Sequence, residues 1–93
     1  MNLTEARCEI DKIDSELKKL FIKRMAVSKE IAMIKAQTGD NIYKPDREKE
    51  VVDKLTAYID PDIKEEYMVF IKKILEISRD YQHRKIQESK KNA

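Results

Sequence analysis

Residues 3–37, LTEARCEIDKIDSELKKLFIKRMAVSKEIAMIKAQ, decide the fold. Apolar side chains recur at Leu3, Ala6, Ile10, Ile13, Leu17 and Leu20, then at Val27, Ile31 and Ile34. Within each series the steps are three or four residues, the spacing of a coiled-coil-type seam along a helix. Thr4 is a suitable N-cap, and Gln37-Thr38-Gly39-Asp40-Asn41 closes the pattern with Gly39 as a left-handed stop. The reading is one helix from about residue 4 to about residue 37, roughly 50 Å long. A helix of that length cannot fold back on itself in a chain of 93 residues, so it calls for another long helix alongside.

Downstream, Pro45 suits the first turn of a second helix, where its missing N–H costs nothing, and Asp46 and Glu48 suit the positive end of the helix dipole. Val51, Val52, Leu55 and Ile59 form its apolar side, and Asp60-Pro61-Asp62 breaks the chain. A third helix then begins, carrying Ile63, Tyr67, Phe70, Ile71, Ile74, Ile77 and Tyr81 on one side and reaching about Ile86. The expected fold is all-α: one domain over residues 1–93 with a long, a short and a long helix. One Gly and two Pro leave room for few turns. So short a chain buries a modest core and gains from a partner chain.

Composition narrows the function. Twenty Lys and Arg against eighteen Asp and Glu give a net charge of +2, a near balance that argues against nucleic acid as the main ligand. Lys85, Lys90 and Lys91 read as a solvated helix end rather than a phosphate-binding stripe. Cys8 is the single cysteine, so neither an internal disulfide nor a cysteine metal site is expected, in keeping with a reducing cytoplasm. The first residues lack a signal-peptide pattern, and no apolar run approaches the ~20 residues of a membrane span.

The informative residues interrupt the apolar pattern. Arg24 stands at the seam position between Leu20 and Val27, and a cation facing a core must be paired or must bind something. Lys35 lies eleven residues on, close to three turns, so both share a face about 16 Å apart and can lean over a small dianion. Arg7 borders the same stripe but lies about 42 Å from Lys35 along the helix. Arg7 therefore joins such a site only from a second protomer, in an antiparallel pairing about a two-fold axis. Glu48 points to the apolar side of the second helix with Arg47 flanking it, and Ser78 and Gln82 lie on or beside the stripe of the third. This set lacks an obvious nucleophile and any metal cage, and suits a chamber that aims donors at a small anion. Each residue also has a plain structural reading. Arg24 serves as a register or ion-pair device, Glu48 pairs with Arg24 or Lys35, and Ser78 and Gln82 are half-exposed positions. Tyr43 reads as packing and His83 as solvent-facing.

Together these blocks resemble the all-helical, type II chorismate mutases over almost the whole chain. Arg7-x-x-Ile10-x-x-Ile13-Asp14-x-x-Leu17 resembles the family's opening, and Arg24 with Lys35 its central helix. Tyr43-Lys44-Pro45-Asp46-Arg47-Glu48 is similar to its Tyr-Asp-Pro-x-Arg-Glu motif, and Ser78-x-x-x-Gln82 to its late helix motif. The resemblance implies an intertwined homodimer with two sites, each borrowing Arg7 from the partner. It implies that Arg7 and Arg24 bind the carboxylates of chorismate, that Lys35 and Gln82 donate to the ether oxygen, and that Glu48 holds the ring hydroxyl. Arg47 would support Glu48, and Ser78 would touch a carboxylate. The catalytic set is then Lys35, Gln82 and Arg24, with no metal and no cofactor. The implied reaction is a concerted rearrangement to prephenate in phenylalanine and tyrosine biosynthesis. Lys44 departs from the motif's Asp; little changes if that position supplies a backbone N–H, whereas the hydroxyl end of the pocket differs if the carboxylate counts. Isochorismate pyruvate lyase, of the same fold, and a non-catalytic helical dimer are the competing readings.

Overall fold

The computed structural model describes residues 1–92. Three helices form: α1 (Leu3–Thr38), α2 (Pro45–Thr56) and α3 (Lys64–Lys91). The N-cap of α1 is Asn2, whose side-chain oxygen accepts the Glu5 backbone N–H at 2.8 Å, rather than Thr4, which lies inside the helix. Asn2 sits one step before Leu3 and three before Glu5, the spacing of a capping box. Gly39 ends α1 in the left-handed region at φ 72°, where a side chain is disfavoured.

Pro45 opens α2 and Lys44 precedes it with no side-chain cap. The helix stops at Thr56, so Ile59 falls in the connecting turn and not on the apolar side of α2. The turn contains Tyr58 at φ 63°, an uncommon conformation for a bulky residue. Asp60 then accepts the backbone N–H of Asp62 on its side chain at 2.9 Å and that of Ile63 on its carbonyl, which delays α3 to Lys64. At its other end α3 continues five residues past Ile86, supported by Glu88 bonds to Arg84 and Lys85 and unopposed by any breaker.

α3 packs against both other helices, while α1 and α2 make no shared face. Ser28 meets Ser78 and Gln82, and Leu17, Leu20 and Phe21 share a groove with Phe70, Ile71 and Ile74, so α3 runs alongside the C-terminal part of α1 in the same direction. Glu48 meets Arg79 while Val52 faces Met68 and Val69, so α2 runs the opposite way. The result is a slab of 55 × 28 × 14 Å. Its thickness is scarcely more than one helix.

A slab of that kind has almost no inside. Its buried apolar residues are Ala32, Val52 and Ile71. Every residue from Arg7 to Arg24 is exposed, including seam residues Ile10 at 54% and Leu20 at 59%. Burying one Leu or Ile contributes about 1.5–3 kcal/mol. Leaving Ile10, Ile13, Leu17 and Leu20 largely open therefore forgoes several kcal/mol, comparable to the net stability of a whole domain at about 5–15 kcal/mol. Arg24, expected to face a core, is likewise exposed in the single chain. No helix among the described residues is long and apolar enough to cross a membrane.

Candidate functional site

The three helices enclose a cavity of about 290 Å³ beside the α1–α3 contact. α1 contributes Arg24, Ser28 and Lys35 to it, a series of four and seven residues that keeps one helix face. α2 and the preceding loop contribute Lys44, Arg47 and Glu48, and α3 contributes Ser78, Arg79 and Gln82. Val27, Ile31, Ile42, Val51 and Leu75 supply the apolar wall. Of the sequence-derived set, Arg24, Lys35, Lys44, Arg47, Glu48, Ser78 and Gln82 are thus together. Arg7 is not among them; it lies about 25 Å before Arg24 along α1, on the exposed stretch.

The charges sort themselves by partner. Lys44 is tied to Asp40 at 2.6 Å and Arg47 to Glu50 at 3.3 Å. Glu48 pairs with Arg79 at 2.7 Å, not with Arg24, Lys35 or Arg47. That pair meets by distance with the Nε–H not aligned along it, and the Arg79 guanidinium also lies over the Tyr43 ring, 4.7 Å from its centroid. Among the described residues Arg24 and Lys35 reach no carboxylate. Lys35 Nζ instead donates to the neutral carbonyl of Ile42 at 2.9 Å. Two cations on one wall without an ion-pair contact favour a ligand carrying two negative charges. At the rim, the Lys44 ammonium hydrogen-bonded to Asp40, helped by the Asn41 backbone N–H, holds the Asp40 carboxyl below its ordinary range.

The floor is a buried polar cluster. Ser28 and Ser78 Oγ atoms lie 2.5 Å apart, and Gln82 Nε2 donates to Ser28 Oγ at 2.9 Å. Ser78 and Gln82, placed by the sequence on or beside the apolar stripe of the third helix, are each 7% exposed, so the half-exposed alternative does not hold. Gln82 Oε1 is buried without a partner.

Ser28 and Arg79 were not singled out from sequence. The spacing Arg24, Ser28, Lys35 was a usable signal for Ser28. Arg79 had none, because it lies one residue off the α3 stripe and meets Glu48 only through the α2–α3 crossing. Two further grooves flank the site. One of about 770 Å³ between α2 and α3 takes in Glu48 and Arg79 but none of Arg24, Lys35, Ser78 or Gln82. The other, about 540 Å³, is lined mainly by Leu17, Leu20, Phe21, Phe70, Ile71 and Ile74, with Arg24 at its border.

Known proteins resemble this chain in sequence and in fold. A family model for chorismate mutase type II matches residues 6–83. A chorismate mutase of Methanocaldococcus jannaschii is 42% identical over 53 residues, covering 57% of this chain and 54% of that enzyme. A bifunctional chorismate mutase/prephenate dehydratase of Aquifex aeolicus is 40% identical over 53 residues, 57% of this chain and 15% of that protein. The alignment thus spans about half of the first relative and a small part of the second. The crystal structure of a Helicobacter pylori chorismate mutase in complex with prephenate superposes with a TM-score of 0.82 at 33% identity, covering 92% of this chain and 94% of that one. With a family match spanning most of its length and a solved relative of the same fold, this chain belongs to the chorismate mutase type II family.

Proposed function

We propose that this chain rearranges chorismate to prephenate, in the cytoplasm and as an intertwined homodimer, with residues 1–93 acting as one catalytic domain. The observation that carries the reading is the pair of cations without an ion-pair contact, Arg24 and Lys35, on the wall of a small cavity whose floor holds Gln82. Chorismate is a dianion, and its rearrangement breaks a C–O bond as a C–C bond forms within one molecule. No covalent intermediate, electron acceptor or proton transfer is required, so neither metal nor cofactor is called for. The protein's task is to hold the compact conformer and to stabilise charge growing on the ether oxygen. Arg24 binds one carboxylate. Lys35 keeps one N–H on Ile42 and directs another to the ether oxygen, together with the Gln82 amide. Glu48, held by Arg79, takes the ring hydroxyl; Ser78 contacts a carboxylate; Arg47 closes the ring side.

The second carboxylate needs Arg7, which its own chain cannot deliver. The exposed seam from Ile10 to Leu20 and the apolar groove beside Arg24 support a partner chain lying along α1 and bringing its Arg7 across. Consumption of chorismate by purified protein, with the product identified and Lys35→Ala alongside, tests the reading. Prephenate formation that collapses in the variant supports it. Pyruvate released from isochorismate with no chorismate turnover moves the chain to the lyase reaction. Inactivity on both substrates leaves a helical dimer with structural charges.

A further inference from the structure

We infer that Ser28 is a positioning residue, whose hydroxyl sets which end of the Gln82 amide faces the reacting ether oxygen; the inference rests on the proposed mutase reaction. Ser28 is 3% exposed, and its Oγ lies between Ser78 Oγ at 2.5 Å and Gln82 Nε2 at 2.9 Å. Gln82 Nε2 is farther from Ser78, at 3.5 Å, so Ser28 is the principal partner of the amide. In this arrangement Gln82 donates to Ser28, and Ser28 is free to donate to Ser78. The opposite end of the amide, Oε1, is left buried with no donor. A buried acceptor without a donor is costly, and a half-turn of the amide supplies Oε1 with a donor while leaving Nε2 open to a ligand acceptor.

After that turn Ser28 donates to Oε1, Ser78 donates to Ser28, and Nε2 becomes the unpartnered end. A freed amide N–H is the group the rearrangement needs, because the ether oxygen only accepts. The exchange consists of one amide rotation and the reorientation of two hydroxyls, with no proton leaving its oxygen. A hydroxyl is suited to both states because it donates and accepts; an alanine at position 28 would hold neither. Ser28 has no route to the substrate as a charged or nucleophilic group, so its part is to orient Gln82.

Ser28→Ala is expected to lower kcat about tenfold, the size of one lost neutral hydrogen bond expressed only in the transition state, with KM within about twofold of the parent. The side-chain amide resonances of Gln82, assigned by their disappearance in Gln82→Met, are expected to shift in the same variant without substrate. Ser28→Cys, nearly isosteric with a weaker donor and acceptor, is expected to fall between the two and keeps the test readable if the alanine variant does not fold. Unchanged kcat in an active protein, or unmoved Gln82 resonances, overturns the positioning role alone. A parent chain that leaves chorismate untouched overturns the proposed reaction and this role with it.

Discussion

Lys35 on α1 and Ile42 in the following loop are joined by a 2.9 Å hydrogen bond from the ammonium to the backbone carbonyl. The bond costs Lys35 one of three N–H donors and no charge, since a carbonyl is neutral. It holds a flexible four-carbon side chain at the cavity wall and leaves two donors for a ligand. Arg47, Lys44 and Arg79 each spend their charge on a carboxylate, and Lys35 does not.

Lys35→Ala is therefore expected to reduce kcat by about 10²- to 10³-fold, the loss seen when one preorganised donor to a developing oxyanion is removed. Lys35→Arg should recover little, because a planar guanidinium does not reproduce a compact ammonium. Steady-state kinetics with a melting curve for each variant check this. A loss below about tenfold would remove Lys35 from the ether oxygen.

Glu48 depends on Arg79. Arg79→Met should leave a half-buried carboxylate without its counter-charge and free it to turn toward Arg24 or Lys35. The expected result is a KM raised about three- to tenfold with a smaller change in kcat, read from initial rates over a range of chorismate. An unchanged KM would show that Glu48 keeps its place unaided.

The dimer reading makes a quantitative prediction. Arg7→Ala and Lys35→Ala should each be nearly inactive alone. When the two chains are coexpressed, about half the dimers are mixed, and each holds one intact site built from the Lys35 of one protomer and the Arg7 of the other. Activity should return to about a quarter of the parent level. No recovery in a verified mixed dimer would place Arg7 outside the partner's site.

Two pH effects are expected. Gln82 is a neutral amide with no proton to lose, so kcat should vary little between about pH 5 and 8; a sharply acidic profile would assign proton donation to another group. Asp40, whose carboxyl is held low by the Lys44 ammonium, stabilises the loop above the ordinary carboxylate range. That contribution is lost as pH falls through its depressed folded value. The difference in melting temperature between the parent and Asp40→Asn should thus be constant near neutrality and close in acid.

Much of this was written locally. Gly39 and Pro45 mark their turns because each backbone requirement is met by one residue. Arg24, Lys35 and Glu48 stand out because charge interrupts an apolar period. Asn2 and Thr4 are both residue types that cap helices, and Asn2 is the one whose side chain accepts a first-turn N–H, that of Glu5. Other features depend on how helices cross. Arg79 looks like one more surface cation until α2 lies against α3. The burial of Ser78 and Gln82 follows from α3 running alongside α1 at Ser28, a register no single helix encodes.

The slab is 14 Å thick, and that thinness governs how the chain can be handled as well as how it folds. A single layer cannot shield its own apolar stripe, so in the proposed dimer ordering the chain and burying that stripe become one event between molecules. Mass action then enters every stability measurement. The melting temperature should climb with protein concentration, and dilution alone should act as a denaturant. A substitution on the exposed face of α1, far from the cavity, can then abolish turnover in a dilute assay and pass unnoticed in a concentrated one.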